Sequence, residues 1–359
     1  MNEKYYEQQD QNNILKIREI MKTLPAFCRE FFHDIADYTS TRTRLAYAYD
    51  IRVFFEFMHE NNSICRKMEI QDFPLDIMDQ ITKDDINEYL DYMSLYLKDG
   101  KKIVNHERGK ARKIASLKSF YNFYFRNEKI TKNPAALISL PKLHEKEIIR
   151  LEPNETAILL DQVEEGIKLT KKQLEYHKIT KIRDIAILTV LLGTGIRVSE
   201  CVGLNIKDVD LENGGLTVHR KGGYNSIVYF GDEVEQALKD YLLKRSEIIP
   251  LSGNEDALFL SIQNKRIGVR AVENLVKKYA QNTTTLKKIT PHKLRSTYGT
   301  ALYNETGDIY LVANVLGHKD VNTTRKHYAA INDDTRRKAA NAVKLRSDYD
   351  KKDDIPKKS

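Results

Sequence analysis

A charged, proline-bracketed segment divides this chain and limits what it can fold into. Asn133-Pro134 and Leu140-Pro141 come just before residues 142–150, which are rich in Lys, Arg and Glu. Proline breaks regular helices and charged residues do not build a core, so the segment is typical of a linker. A chain of 359 residues is long enough for a core on each side. We expect domains over residues 1–140 and 152–345, a linker over 141–151 and a disordered tail over 346–359.

The residues before the linker have the apolar periodicity of helices. Helices are predicted near residues 14–23, 41–60, 83–98 and 105–126, and no strand pattern interrupts them. The last of these is amphipathic, with an apolar face formed by Ile114, Leu117, Phe120, Tyr121, Tyr124 and Phe125. The first domain is therefore expected to be all helix.

The residues after the linker mix helix and strand patterns. A helix is predicted over 152–165, no structure is assigned to the Lys-rich stretch 166–181, and an apolar helix follows over 182–192. Two β-rich runs, 216–219 and 226–230, flank Lys221-Gly222-Gly223 and indicate a hairpin. Further helices are predicted near 232–246, 268–279, 291–305, 310–316, 323–330 and 334–345. The fold class is mostly α with a small β-sheet in the C-terminal half.

The net charge of +8 is unevenly distributed. Residues 1–100 carry −7, whereas residues 101–150 carry +9. Much of this excess lies on or before the helix at 105–126, where it is an ordinary solvated face or a surface for DNA phosphates. The candidate DNA-binding residues there are Arg108, Lys110, Arg112, Lys113 and Lys118.

Several protein classes do not fit the sequence. The longest apolar run, residues 185–196, is too short to cross a bilayer, and residues 1–13 lack the apolar core of a secretory signal. Cys28, Cys65 and Cys201 are widely spaced and odd in number, which fits neither a disulfide framework nor a C-x-x-C zinc site. We expect a cytoplasmic protein with reduced, mostly buried thiols and no membrane partner.

Five short motifs in the second half carry candidate chemistry. Gly195-x-Arg197-x-Ser199-Glu200 is followed by Lys221 in the hairpin, by Thr290-Pro291-His292-x-x-Arg295, by Gly317-His318, and by Tyr328. Thr290 followed by proline is a good helix start, so His292 and Arg295 are expected one turn apart near free backbone amides. Taken singly, each motif is more often structural: a salt bridge, a solvated lysine or a core tyrosine.

The ordered series of motifs resembles the tyrosine site-specific recombinases, the family of phage and transposon integrases and Xer-type resolvases. In layout the chain is most similar to the single-protein Xer recombinases of Gram-positive bacteria. The resemblance implies a two-domain DNA clamp, with a helical, SAM-like core-binding domain and a tyrosine recombinase catalytic domain. It also implies DNA strand exchange through a 3′-phosphotyrosyl intermediate and a Holliday junction, for integration and excision of a mobile element or for chromosome dimer resolution.

The resemblance assigns roles to seven residues. It implies that Tyr328 is the nucleophile, that Arg197, Arg295 and His318 bind the non-bridging phosphate oxygens, and that Glu200 orients Arg197. Lys221 would protonate the leaving 5′-oxygen and His292 would assist proton movement at Tyr328. No metal or other cofactor is expected, because the phosphotyrosine conserves the bond energy. The implied partner is double-stranded DNA with an inverted-repeat core site, bound by a homotetramer whose C-terminal helix is exchanged between subunits.

Some alternatives stay open at this point. His318 and Tyr328 are ten residues apart, one more than in many relatives, so His327 falls where the nucleophile often stands. His292, His318 and His327 could be metal ligands, although their arginine neighbours would repel a cation. A catalytically silent DNA-binding relative and a type IB topoisomerase are the alternative functions.

Overall fold

The computed structural model describes residues 3–98, 100–140, 149–220, 222–283, 287–318 and residue 321. The chain forms two compact units that divide inside residues 141–148. The assignment of DNA-binding and catalytic roles to residues 1–140 and 152–345 stays a prediction.

The first unit combines helices with a small antiparallel sheet. Its helices are α1 (Glu3–Met21), α2 (Cys28–Asp34), α3 (Thr41–Asn61), α4 (Ile77–Gln80), α5 (Lys83–Tyr92) and α6 (Glu107–Arg126), and its strands are β1 (Tyr96–Lys98) and β2 (Lys101–Ile103). The strands pair with Tyr96 opposite Ile103. The prediction of an all-helical domain is therefore wrong, and α5 ends six residues before the predicted residue 98. Three-residue strands are too short to show an alternating pattern.

Aromatic side chains from α2, α3 and α6 form the core of the first unit. Phe31, Phe55 and Phe120 are fully buried, and the rings of Phe31 and Phe120 meet edge to face at 5.1 Å. On α6 the predicted apolar face is buried apart from Phe125, which is exposed. The spacing of apolar residues thus fixes which face of α6 packs inward.

A buried ionic cluster ties α3 to α6. The Asp50 carboxylate, 2% exposed, accepts hydrogen bonds from Arg112 Nη2 at 2.7 Å, Lys113 Nζ at 3.0 Å and Ser116 Oγ at 2.8 Å. Lys113 is itself buried. The buried Lys113 ammonium therefore has the Asp50 carboxylate as its counter-charge.

Replacing Asp50 by Ala is expected to destabilise the protein by about 3–5 kcal/mol, because it leaves the Lys113 ammonium buried without its counter-charge. Urea unfolding, monitored by the near-ultraviolet circular dichroism of the tyrosines, measures this loss of unfolding free energy. The matched control is Glu30→Ala, which breaks an exposed ion pair with Lys129 and is expected to cost less than about 1 kcal/mol. Equal losses in the two variants would contradict the prediction.

The second unit combines seven α-helices with a three-stranded antiparallel sheet among its described residues. Its helices are α7 (Pro153–Glu165), α8 (Lys171–Thr194), α9 (Val198–Gly203), α10 (Asp232–Ser246), α11 (Val269–Thr283), α12 (Pro291–Thr306) and α13 (Ile309–Leu316). Strands β3 (Val209–Asp210), β4 (Gly215–His219) and β5 (Asn225–Tyr229) lie in that order, and His219 pairs with Asn225 across the predicted hairpin. The predicted helices at 323–330 and 334–345 and the tail at 346–359 lie outside the described residues.

The Lys-rich stretch that had no assigned structure is largely the first half of α8. Thr170 caps this helix by accepting from the Gln173 N–H. Asp184, in the middle of α8, accepts from the Tyr279 hydroxyl at 3.0 Å, and His177 Nδ1 lies 3.0 Å from the same hydroxyl. These contacts with α11 explain why a polar sequence is ordered there. None of the described helices has the length and apolar character needed to cross a bilayer.

The three cysteines are free and buried. Burial raises the pKa of Cys65 to about 11 and that of Cys201 to about 12, and it raises the pKa of Cys28 well above the ordinary value. We expect no thiol to react rapidly with a disulfide reagent at pH 8 in the folded protein, and all three to react in denaturant. A thiol count with and without denaturant measures this, and one fast thiol in the folded state would contradict it.

Candidate active site

Arg197 and Glu200 are positioned by the tight junction between α8 and α9. Gly195 ends α8 in the left-handed region, at φ +62°, and a Cβ atom there would lie 2.4 Å from the Tyr298 ring. Arg197 then caps α9: its backbone N–H donates to Glu200 Oε2 and its Nη1 donates to Oε1, both at 2.8 Å. The predicted Arg197–Glu200 pair is therefore present, with the carboxylate 3% exposed.

The C-terminal end of α13 presents a row of backbone carbonyl groups. Gly317 ends the helix at φ +62°, and the His318 N–H turns back to the Ala313 carbonyl at 2.9 Å. This closing turn leaves the last helical carbonyl groups without intrahelical partners.

Three arginines from different parts of the second unit bind these carbonyl groups. Arg197 Nη2 donates to Gly317 O at 3.2 Å, and Arg220 Nη2 donates to Val315 O at 3.0 Å. Arg295 donates through Nη2 to Leu316 O, and through Nη1 to Gly195 O at 2.6 Å. The end of α13, the start of α9 and the buried part of α12 are thus joined at one point.

Among the residues that the structure describes, the cluster holds three arginines and one carboxylate that accepts from them, so positive charge is in excess. Glu200 accepts from both Arg197 and Arg220, whose Nη1 lies 3.1 Å from Oε2. Arg220 and Arg295 are nearly inaccessible to water, whereas one third of the Arg197 side chain is exposed. Charges in a site of low dielectric interact strongly with a bound anion. The arrangement is suited to a phosphate group that approaches from the side of Arg197.

Arg220 was missed by the sequence analysis, which singled out its neighbour Lys221. A signal for it exists, because Leu216 and Val218 are buried and alternate residues of a strand point the same way. If that alternation continues to the residue after β4, the Arg220 side chain lies on the same buried face as Leu216 and Val218. A buried arginine is rare unless it is paired.

Of the remaining candidate site residues, the structure describes some and not others. His292 lies on α12 one turn before Arg295 and is exposed, while His318 is partly buried. Thr290 stands at the N-cap of α12 but makes no side-chain capping bond. Lys221, His327 and Tyr328 lie outside the described residues, so their roles stay predictions.

The five candidate DNA-binding residues of α6 have different surroundings. Arg108 is exposed, Lys110 donates to Ser94 Oγ at 2.6 Å, and Lys118 holds the Ile138 carbonyl at 2.8 Å. Arg112 binds Asp50 but leaves half of its side chain exposed. The prediction for Lys113 needs correction: its side chain is buried against Asp50, so its ammonium group is not exposed to a DNA phosphate. An ion-pair partner 63 residues away decides its orientation.

The sequence matches the phage integrase family over residues 151–335. It is also 34% identical over 313 residues to the tyrosine recombinase XerC of Caldanaerobacter subterraneus subsp. tengcongensis, covering 84% of this chain and 81% of that protein. The chain belongs to this family. It is a Xer-type tyrosine recombinase, an enzyme of site-specific DNA strand exchange. XerC of Listeria innocua is 32% identical over 297 residues, covering 82% of this chain and 89% of the relative.

Solved structures share the fold of this recombinase. A XerH site-specific recombinase bound to palindromic difH substrate, in a post-cleavage complex, aligns with a TM-score of 0.64 at 20% identity, covering 92% of this chain and 88% of that one. A lambda integrase (75–356) dimer bound to a COC′ core site aligns with a TM-score of 0.55 at 18% identity, covering 84% and 93%. The mostly helical fold class with a small sheet is confirmed.

Proposed function

We propose that this recombinase cleaves an inverted-repeat DNA core site through a 3′-phosphotyrosyl link to Tyr328. The observation that carries the proposal is the convergence of Arg197, Arg220 and Arg295 on the carbonyl groups at the end of α13, with Glu200 binding the first two. A phosphoryl transfer that moves negative charge onto non-bridging oxygens needs such preorganised donors. The XerH and lambda integrase structures are complexes with DNA substrates, which supports double-stranded DNA as the partner.

In the proposed reaction, the Tyr328 hydroxyl attacks the scissile phosphorus and the bond from phosphorus to the 5′-oxygen breaks. His292 assists removal of the tyrosine proton, and Lys221 donates a proton to the leaving 5′-oxygen. Arg197, Arg295 and His318 hold the non-bridging oxygens. The link that forms is again a phosphodiester, so a 5′-hydroxyl from a second duplex reverses the step and joins the strands without an external energy source.

The proposed assembly is a homotetramer on two core sites in the cytoplasm, exchanging one pair of strands at a time through a Holliday junction. Residues 1–140 and 152–345 would bind opposite faces of the duplex as a clamp. The segment 332–345 would dock onto a neighbouring subunit and couple assembly to activity. The exposed side chains of Arg108 and Arg112 are suited to phosphates along the core site.

The test is covalent capture on DNA. A core site is first isolated by binding selection from random duplexes, and a nicked suicide duplex carrying it is incubated with the protein in EDTA. We expect a DNA adduct that survives denaturation and disappears on protease treatment. Specific binding to the selected site without any adduct would contradict the proposal and favour the catalytically silent alternative.

A further inference from the structure

Arg220 bonds to both Glu200 and the end of α13 although its side chain is almost wholly buried. Its guanidinium is 3% exposed and lies beneath Gly317, where a Cβ atom would come within 3.0 Å of Cζ. Its Nη1 and Nη2 atoms already donate to Glu200, Leu316 and Val315, and its Nε is buried. Its contribution to the reaction must therefore pass through the groups that it touches.

Those groups are the same ones that hold Arg197. Arg220 Nη1 and Arg197 Nη1 donate to the two oxygens of one carboxylate, at 3.1 and 2.8 Å. Arg220 also donates to Val315 O at 3.0 Å and Leu316 O at 3.4 Å, directly before the Gly317 carbonyl that Arg197 binds. Both anchors of the Arg197 guanidinium are thus fixed by Arg220.

A contribution to folding stability does not by itself explain why an arginine is buried at position 220. Within the described part of the chain, its Nε is buried and has no hydrogen-bond partner. Burial of a charge with one donor unpaired costs folding free energy, and an apolar side chain of similar volume is often tolerated equally well in such places.

We infer that Arg220 is a positioning residue for the proposed cleavage reaction, which sets Arg197 and the turn carrying His318 against the non-bridging oxygens of the scissile phosphate. The inference rests on the proposed function. It assigns Arg220 to stabilisation of phosphate charge, and not to protonation of the leaving group by the adjacent Lys221.

The test compares cleavage rates on three suicide duplexes that differ only at the scissile phosphate. One is unmodified, one carries a methylphosphonate in place of one charged oxygen, and one carries sulfur as the 5′-leaving atom. A methylphosphonate needs less positive charge around it, whereas a thiolate leaves without a proton donor. The variants are Arg220→Met, which removes the charge, and Arg220→Lys, which keeps it. Arg197→Ala and Lys221→Ala are the references for the two effects.

On the unmodified duplex we expect Arg220→Met to cleave about 10- to 100-fold more slowly, the effect of losing a charge-assisted hydrogen bond, and Arg220→Lys to recover part of the rate. On the methylphosphonate duplex the rate loss of Arg220→Met should become smaller, as should the rate loss of Arg197→Ala. On the sulfur duplex the rate loss of Arg220→Met should persist, whereas the rate loss of Lys221→Ala should disappear. Rescue of Arg220→Met by sulfur, or cleavage at the full rate, would overturn the inference.

A buried arginine outside the candidate active site supplies the matched control. Arg245 is 4% exposed and donates to the carbonyls of Ala257 and Glu255, with no contact to Glu200 or α13 among its bonds. Arg245→Met should lower the melting temperature without changing the ratio of rates on the three duplexes. If Arg245→Met changed the ratio of cleavage rates on the three duplexes in the same way, the result for Arg220→Met would reflect only a loss of structure. No adduct from the unmodified protein would overturn the proposed function itself, a result distinct from any failure of Arg220→Met.

Discussion

Tyr328→Phe is expected to abolish covalent adduct formation on the suicide duplex while leaving DNA binding intact. The substitution removes only the attacking oxygen, and no other group replaces a nucleophile at the same point of the site. Denaturing gel electrophoresis of end-labelled DNA measures the adduct, and a mobility-shift titration measures binding. The expected loss is the whole signal.

His327 provides the control for this prediction, because it stands beside Tyr328 and one residue closer to His318. On the helix predicted at 323–330 one residue is a rotation of about 100°, so we expect the two side chains to occupy different positions. His327→Ala is expected to retain the adduct. Adduct in Tyr328→Phe together with its absence in His327→Ala would show that the nucleophile is assigned to the wrong residue.

Arg295→Ala is expected to slow cleavage by about 10²- to 10³-fold, the usual effect of removing one preorganised donor from developing charge. The guanidinium is 4% exposed and joins Gly195 to Leu316, so its loss also loosens the junction that carries Arg197. Single-turnover cleavage at saturating protein measures the rate separately from binding.

Arg295→Lys separates charge from geometry. Lysine restores the charge but cannot bridge two carbonyl groups and a phosphate with a planar fork, so most of the deficit should remain. Melting curves of both variants show whether the fold survives. Cleavage by Arg295→Ala within threefold of the unmodified protein would contradict the assigned role.

The sequence predicts the local contacts of the candidate site but not its long-range contacts. The spacing of Arg197 and Glu200 on one turn predicts their ion pair, and the structure contains it. Nothing in the local sequence indicates that Arg295 and Arg220 converge on carbonyl groups of α13, because those contacts join residues 21 to 96 positions apart. The order of the motifs carries that information only through resemblance to a family.

The fold shows the same division between local and long-range information. Apolar spacing predicts the inward face of α6, since helical periodicity is a local property. It does not predict that Lys113 lies buried, because the cause is Asp50 on α3. It also does not predict that residues 171–181 continue into α8, where contacts with Tyr279 outweigh the polar sequence.

Identification of the amino acid bonded to DNA tests the central claim most directly. The adduct formed by the unmodified protein is digested with trypsin and nuclease, and the linked peptide is sequenced by mass spectrometry, with the labelled DNA end recorded separately. We predict a 3′-phosphate ester on Tyr328 and a free 5′-hydroxyl on the other strand end. A link to any other residue, or a 5′-phosphate ester, would contradict this account.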